Sequence, residues 1–194
     1  MKTAKKDLGS APTIFPAPIF VVGSYNEDGT PNMMTASFGG IVAMNPPALY
    51  VSLRKATLTH GNILRGGVYT VNIPSEKYAR EADYVGIVSG RNTNKFETTG
   101  LTPVKGSLVD APYIEEFPVN YECKVIQVVE VGSHTQFIAE IVGIKASEEV
   151  LNEKGRPALN KIQPLLMGNS EGSYFGTGQE VDKAFHYKNE FPKK

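Results

Sequence analysis

The sequence predicts a mainly β protein, built as a partly closed β-barrel with two or three short helices. Residues 117–131 and 135–146 are rich in β-branched side chains and half alternating, and Gly132-Ser133-His134 supplies a turn between them. These two runs are typical of a long hairpin. The alternation slips at Val125-Ile126, where we expect a bulge or strong twist of the kind that closes a barrel. Because strands dominate and the helices are few, the pattern favours a barrel.

The first half of the chain is predicted to be four strands and one helix. In order, these are a strand at 19–24, a tight turn at Asp28-Gly29, strands at 34–43 and 48–53 around the turn Asn45-Pro46-Pro47, a helix at 57–65, and a strand at 68–73. Thr57 is a good N-cap for that helix, and Gly66-Gly67 ends it.

The second half adds a helix and several connections around the long hairpin. A second helix is predicted from Ser75, with Tyr78, Ala82, Val85 and Ser89 on one face and Gly90 at its end. Residues 91–101 indicate a polar loop with one helical turn around Lys95, and 148–151 another helical turn before a turn in 152–157. The glycines of 168–178 are typical of a flexible segment. A contact of Tyr174 with a ligand or a partner subunit is the alternative.

Composition favours an ordinary globular protein. The chain has 194 residues, 41% of them hydrophobic, which is enough to bury roughly 70% of the unfolded surface in one core. We expect one domain over 1–194, with a core at about 16–187. The 20 basic and 20 acidic residues give no electrostatic footprint for nucleic acid. No apolar run reaches the roughly 18 to 20 residues that span a bilayer, and the polar start predicts a cytoplasmic protein without membrane contact.

The cysteine and the histidines predict no metal site. Cys123 is the one cysteine, and strict alternation over 119–125 turns it toward the core, so an inert thiol is favoured over a catalytic one. His60, His134 and His186 lie in separate segments without the spacing of metal ligands.

Two polar clusters carry the functional signal. The first is Asn32-Met33-Met34-Thr35-Ala36-Ser37, and the second runs through residues 52–60 after a predicted hairpin that can bring the two side by side. Arg54 and Lys55 could then meet a phosphate, while the hydroxyls and backbone amides of Thr35, Ser37, Ser52, Thr57 and Thr59 could bind a polar ligand. The alternative is two strand ends with ordinary helix caps. The dinucleotide pattern GxGxxG and the P-loop pattern GxxxxGK do not occur.

Five short motifs in order resemble a known family. They are Asn32-Met33-Met34-Thr35-Ala36-Ser37-Phe38, Ser52-Leu53-Arg54, Thr57-x-Thr59-His60-x-Asn62, Lys95-Phe96-x-x-Thr99-Gly100-Leu101 and Gly132-Ser133-His134. Together they resemble the flavin reductase-like proteins, and among these the flavoredoxins most. The resemblance runs from about residue 16 to residue 187.

The resemblance implies a Greek-key split β-barrel that binds FMN without a covalent link, usually at a homodimer interface. By position, it assigns Asn32, Met33, Thr35, Ala36 and Ser37 to the isoalloxazine and ribityl chain, continued by Ser52, Leu53 and Arg54. It assigns Arg54, Thr57, Thr59 and Lys95 to the phosphate, with His60 and Asn62 close by. Phe38 stands where the family often has an aromatic residue, and His134 would lie near the exposed face of the flavin.

The implied activity is an oxidoreductase that moves electrons from NADH, NADPH or a redox partner protein through FMN. Cations, hydroxyls and an apolar wall of Met33, Met34 and Phe38 suit such a cofactor. Because FMN would carry the redox chemistry, no conventional acid-base residue is expected, and His134 is predicted to position the electron donor. An electron carrier with little nicotinamide activity and a flavin-free β-barrel binding module remain alternatives.

Overall fold

The computed structural model describes residues 3–182 and 184. Its strands are β1 Ala17–Pro18, β2 Phe20–Tyr25, β3 Pro31–Ala36, β4 Gly39–Met44, β5 Pro47–Arg54, β6 Val68–Ile73, β7 Pro103–Lys105, β8 Pro112–Ile114, β9 Val119–Val131, β10 His134–Ala146, β11 Leu166–Gly168 and β12 Ser173–Phe175. Its helices are α1 Leu58–Gly66, α2 Ala79–Ile87, α3 Lys95–Thr99 and α4 Leu159–Ile162, with 3₁₀ turns at Glu76–Tyr78 and Glu148–Val150. None of the helices in this part of the chain is long and apolar enough to cross a bilayer.

Seven strands form one antiparallel sheet in the order β3-β2-β6-β9-β10-β5-β4. Its two edge strands, β3 and β4, are consecutive in the chain and are joined only by Ser37 and Phe38. The amide of Ser52 in β5 donates to the carbonyl of Phe38 at 2.8 Å, which ties this link to the far side of the sheet. The sheet therefore curls into a partly closed barrel, as predicted.

The long hairpin of β9 and β10 contains the predicted bulge. Val125 pairs with Ala139 and Gln127 pairs with Ile138, so Ile126 is left over between them. The turn itself is Gly132-Ser133, because His134 is already the first residue of β10 and pairs with Val131. The slip in alternation at Val125-Ile126 was thus a correct signal of bulging.

The first helix and the strand after it follow the prediction. The hydroxyl of Thr57 accepts from the amide of His60 at 3.3 Å, and Gly67 ends α1 in the left-handed conformation at φ +67°. The second helix is shorter than predicted. A 3₁₀ turn follows Ser75, and α2 ends at Ile87 because Val88 is extended, so Gly90 is not its stop.

The predicted strand at 34–43 is wrong as a single element. It is two strands, β3 and β4, separated by a corner at Ser37-Phe38. A Cβ on Gly39 would lie 2.5 Å from the ring of Phe20, so the glycine lets β4 start in close contact with β2 after the corner. Apolar alternation continues through such a corner, which is why the sequence does not reveal it.

The prediction of a flexible segment at 168–178 is also wrong. Strands β11 and β12 form a hairpin there, and β1 completes a three-stranded sheet with β11. Gly172 takes the left-handed conformation at φ +64° in the turn, a position that favours glycine. The hydroxyl of Tyr174 donates to the carboxylate of Asp83 at 2.9 Å, which ties the hairpin to α2.

The hydrophobic core has two parts. One fills the barrel and includes Tyr69, Cys123 and Phe137, and the other lies between the sheet and helices α2 and α3 and includes Met33 and Val85. Cys123 is fully buried, as its alternation predicted, and this burial raises the pKa of the thiol. His186 and the expected end of the core at residue 187 lie outside the described residues.

A buried carboxylate holds the loop between β7 and β8 against the barrel. Glu122 in β9 is 1% exposed, and it accepts from the hydroxyl of Ser107 at 3.0 Å and from the amides of Leu108 and Val109 at 2.7 and 3.1 Å. The ammonium of Lys145 lies 3.2 Å from the same carboxylate. All of these groups donate to one carboxylate, so a single side chain anchors three consecutive residues of the loop.

Candidate functional site

A cleft of about 400 Å³ opens where five elements meet. It is lined by the end of β3 and the link that follows it, the end of β5, the N-cap of α1, the last turn of α2 and the start of β10. These contribute residues 34–38, residues 52–54, Thr57, Gly86 and His134. Both polar clusters predicted to form a site therefore contribute to one cleft.

The pairing of β5 with β10 builds one wall of the cleft. Arg54 pairs with His134, and Ser52 pairs with Gln136, so their side chains share one face of the sheet. Leu53 lies on the opposite face and is 1% exposed in the barrel core. Its side chain therefore points away from the cleft, and Leu53 contributes to the cleft wall through its backbone.

The cleft has a positively polarised end. Arg54 is exposed, and its guanidinium makes no hydrogen bond or ion pair with residues 3–182 or 184. Beside it, Thr57 opens α1, whose first backbone N–H groups carry the partial positive charge of a helix N-terminus. An anionic group would meet both a full charge and backbone donors there. Lys55 differs, because its ammonium pairs with Glu130 at 2.7 Å.

Two rings form the apolar side of the cleft. Phe38 and His134 are stacked, with centroids 5.5 Å apart and an angle of 27° between the planes. Nδ1 of His134 shares a hydrogen bond of 2.9 Å with the hydroxyl of Ser133. Phe38 remains 37% exposed, so its ring offers an open surface to a planar ligand.

Strand β3 divides its residues between the cleft and the core. Thr35 faces α2, where its hydroxyl donates to the carbonyl of Ala82, and Gly86 approaches it so closely that a Cβ would lie 3.1 Å from the Cβ of Thr35. Met33 shares that face but is fully buried under α2. Its side chain is therefore a core residue and not part of the cleft, while Met34 and Ala36 on the opposite face do line it.

Four other expected site residues are buried, three on the inner face of α1 and Asn32 on β3 against it. Asn32 donates to the hydroxyl of Thr59 at 2.9 Å, and Asn62 donates to Ser24 and Asn26 at 3.1 and 2.9 Å. The ring of His60 shares a 2.8 Å hydrogen bond with Thr135. Because each is already hydrogen-bonded within the fold, Asn32, Thr59, His60 and Asn62 hold α1 in place and do not line the cleft.

Burial, with a smaller contribution from Lys55, lowers the pKa of His60, so its ring is neutral near pH 7. Among the residues that the structure describes, no three His, Cys, Asp or Glu side chains are grouped to hold a metal ion.

Lys95 lies behind the cleft and not in it. It is 4% exposed, and its ammonium donates to the carbonyl of Val85 at 2.7 Å, next to the cleft residue Gly86. Burial lowers the pKa of Lys95 to about 8. It also borders a separate depression of about 310 Å³ that contains Asn32 and Arg91. A carbonyl is its one hydrogen-bond partner within residues 3–182 and 184, so the ammonium lacks a counter-charge there.

Sequence reasoning missed Gly86, which lines the cleft, and two residues that lie beside the cleft without lining it, Tyr50 and Gln136. Gly86 interrupts an otherwise helical pattern, which is a sign of close packing against another element. Tyr50 and Gln136 lie two residues from Ser52 and His134, on the same strand faces, so alternation alone would have placed them beside the cleft.

The curled antiparallel barrel thus presents a cationic end, hydroxyls without a partner in the described chain and an apolar wall in one cleft. The flavin reductase like domain model matches residues 12–176. The chain therefore belongs to the flavin reductase-like family, a family of flavin-binding oxidoreductases.

Solved structures agree with this assignment. The flavoredoxin of Desulfovibrio vulgaris (Miyazaki F) is 45% identical, with a TM-score of 0.91 over 94% of this chain and 98% of that one. The flavoredoxin from Methanosarcina acetivorans is 29% identical, with a TM-score of 0.90 over 97% and 99%. Among curated proteins, the NADH-dependent flavin reductase StyB of Pseudomonas fluorescens is 26% identical over 173 residues, which is 84% of this chain and 91% of StyB. The predicted split β-barrel fold and family are confirmed.

Proposed function

We propose that this protein binds FMN without a covalent link in the cleft and passes electrons from NADH or NADPH through it. The observation that carries the proposal is the juxtaposition in one cleft of an unpaired cation, a helix N-terminus and an apolar wall. Membership of a flavin-binding family supports flavin as the ligand.

The cationic end of the cleft suits the phosphate of FMN. Arg54 would bind it through charge-assisted hydrogen bonds, and the first amides of α1, which follow Thr57, would add neutral donors. Lys95 would act from behind α2, since its ammonium has only the Val85 carbonyl as a partner in the described chain. FMN, with its single terminal phosphate, matches one such end.

The opposite side of the cleft suits the ring and the ribityl chain. Ser37 and Ser52 offer hydroxyls that make no hydrogen bond within residues 3–182 and 184. Met34, Ala36 and Phe38 supply apolar surface for the ring. Hydrogen bonds from such donors to a bound flavin would tune its potential.

Bound FMN would supply the electron-transfer chemistry, and the chain would orient and enclose it. His134, stacked on Phe38 at the cleft rim, would position the electron donor. The named activity of StyB supports NADH or NADPH as that donor. The similarity to two flavoredoxins supports a second candidate, an electron carrier that receives electrons from a redox partner protein.

The first test is visible absorbance after FMN is added and the excess removed, followed by anaerobic addition of NADH and then NADPH. A retained flavin spectrum that bleaches with a nicotinamide supports the reductase, and bleaching only by dithionite or another redox protein supports the carrier. Arg54→Ala should weaken FMN binding about 10-fold or more, the value of a charge-assisted hydrogen bond. The matched control Arg80→Ala, an exposed arginine on α2, should bind FMN as wild type does.

A second variant tests the role of His134. His134→Ala should slow reduction by the nicotinamide while FMN affinity stays unchanged, because the side chain would act on the donor and not on the phosphate. Stopped-flow bleaching at several NADH concentrations measures the rate. Reduction at the wild-type rate would remove His134 from the mechanism.

We also propose that the protein is a homodimer. The edge strand β4 exposes three large apolar side chains, Ile41 at 70%, Val42 at 47% and Met44 at 92%. An open edge with such side chains is a surface that proteins usually cover. The resemblance to the family implies a homodimer as well. Such a dimer would place a second subunit beside the cleft.

A further inference from the structure

A second cavity of about 450 Å³ adjoins the cleft on the far side of Phe38. We call it the chamber. It shares Ser37, Phe38 and Ser52 with the cleft, so the ring of Phe38 is a common wall of the two spaces. Its outer wall is residues 11–14 of the N-terminal segment. A molecule in the chamber would therefore lie next to whatever occupies the cleft.

The chamber differs from the cleft in charge. None of its lining residues is charged, whereas the cleft has Arg54. Burying an ionic group without a counter-charge is costly, so the chamber selects against phosphates and carboxylates. The phosphates of a nicotinamide dinucleotide consequently have no partner in it.

The chamber nevertheless contains hydrogen-bonding groups that the fold leaves unused. Apart from the shared Ser37 and Ser52, these are the hydroxyls of Thr13 and Tyr50 and the amide of Gln136. Within residues 3–182 and 184, none of these three side chains makes a hydrogen bond. They contrast with Asn32 and Asn62, whose side-chain amides donate to neighbouring groups of the fold. Neutral donors on an apolar surface are suited to carbonyl or hydroxyl oxygens.

We propose that the chamber binds a neutral, planar aromatic molecule that has one or two carbonyl or hydroxyl oxygens, such as an aromatic ketone or a quinone. Its volume lies in the range of small-molecule sites, and its few neutral polar groups on an apolar lining are typical of them. Binding in the chamber is independent of flavin, but the role of the bound molecule as electron acceptor rests on the proposed function.

The probe for this site is chromone, a neutral planar aromatic ketone, and chromone-2-carboxylate is its charged counterpart. Isothermal titration calorimetry is carried out on the full-length protein with and without FMN. Chromone should bind in both states, and chromone-2-carboxylate should bind at least 10-fold more weakly. No chromone binding at millimolar concentrations, or equal binding of both compounds, would overturn the proposal. If a second subunit filled the chamber, chromone would not bind, and the proposal would be wrong.

Variants locate the bound probe. Ala11→Trp should block the chamber and weaken chromone binding at least 10-fold, whereas Ser10→Trp, one residue outside the lining, should not. Gln136→Glu should weaken binding of a neutral ketone by a similar factor, and Tyr50→Phe by a few fold. FMN affinity should be unchanged in all four. Chromone binding without FMN binding would refute the proposed function alone, and FMN binding without chromone binding would refute the chamber alone.

Discussion

At the scale of single residues, the polar side chains of the two clusters differ in whether the fold already uses their hydrogen bonds. Thr59 and His60 are bonded to neighbours and buried, while Ser37 and Ser52 make no side-chain hydrogen bond within the described chain. Polar residues of the same cluster thus have different roles. The choice depends on which face of a strand or helix each occupies and on which partners arrive from distant parts of the chain.

Lys95 shows how burial changes the chemistry of one such residue. Because burial lowers its pKa to about 8, the folded protein releases this proton at lower pH than the unfolded chain, whose lysine keeps the ordinary value of 10.5. The unfolded chain therefore binds more protons between about pH 8 and 10.5. Stability relative to a variant without the charge must rise with pH across that interval.

We predict that Lys95→Met stabilises the flavin-free protein relative to wild type, and that this gain is larger at pH 7 than at pH 10. The gains at the two pH values should differ by on the order of 2 kcal/mol, since one pKa unit is worth about 1.4 kcal/mol. Urea unfolding at both pH values gives the two free energies. The exposed Lys124→Met is the control and should show no such pH dependence. Parallel pH profiles for wild type and Lys95→Met would contradict a buried, depressed lysine.

At the scale of elements, helices with caps and strands with clear alternation could be predicted from the sequence. Thr57 and Gly67 bound α1 as expected, and β6 has the predicted limits. The corner at Ser37-Phe38 and the β11–β12 hairpin could not be predicted, because both depend on contacts with distant elements. The corner is held by Ser52, and the hairpin pairs with β1. For the same reason, alternation alone did not place Met33 and Leu53 in the core.

The loop between β7 and β8 was not predicted as an element, and Glu122 explains why it is ordered. Burial raises the pKa of this carboxyl, but hydrogen bonds from Leu108, Ser107, Lys145 and Val109 outweigh burial and lower the pKa below its ordinary 4.5. A carboxyl whose pKa is lowered by folding stabilises the fold at pH values above its pKa in the unfolded chain. That stabilisation is lost as the pH falls through the pKa of Glu122 in the folded protein.

We predict that Glu122→Gln destabilises the protein by about 2–4 kcal/mol at pH 7, because one carboxylate oxygen becomes an amide that cannot accept from the loop N–H groups. The loss should shrink below about pH 4.5. Unfolding free energies at pH 7 and pH 4, with hydrogen exchange at residues 107–109, measure both effects. The exposed Glu115→Gln should change stability by less than about 0.5 kcal/mol. Unchanged exchange in Glu122→Gln would mean that other contacts hold the loop.

At the scale of the whole molecule, the curled sheet has two edge strands, β3 and β4, each paired on one side only within the described chain. Of the two, β4 exposes the large apolar side chains of Ile41, Val42 and Met44. The apolar side chains of β4 are the surface through which we propose that copies of the protein meet. The family resemblance supplied the expectation of a dimer, and the fold supplies a surface for it.

We predict that Met44→Asp combined with Ile41→Asp gives a monomer of about 21.1 kDa, while the wild type has about twice that mass. A carboxylate on each exposed apolar position would have to be buried in the interface, which is unfavourable. Light scattering after gel filtration measures the mass. Leu64→Asp is the matched control, an exposed leucine on α1 that should leave the mass unchanged. A wild-type monomer, or a double variant of wild-type mass, would refute this interface.

Because Cys123 is completely buried, its reactivity can be used to detect opening of the barrel. The thiol lies inside the barrel with its pKa raised, so a thiol-reactive dye can label it only when the strands around it separate. The labelling rate of the wild-type protein then measures how often the barrel opens. A cysteine introduced on the surface would react first, which allows one fluorophore to be attached at a chosen position without removal of the native cysteine.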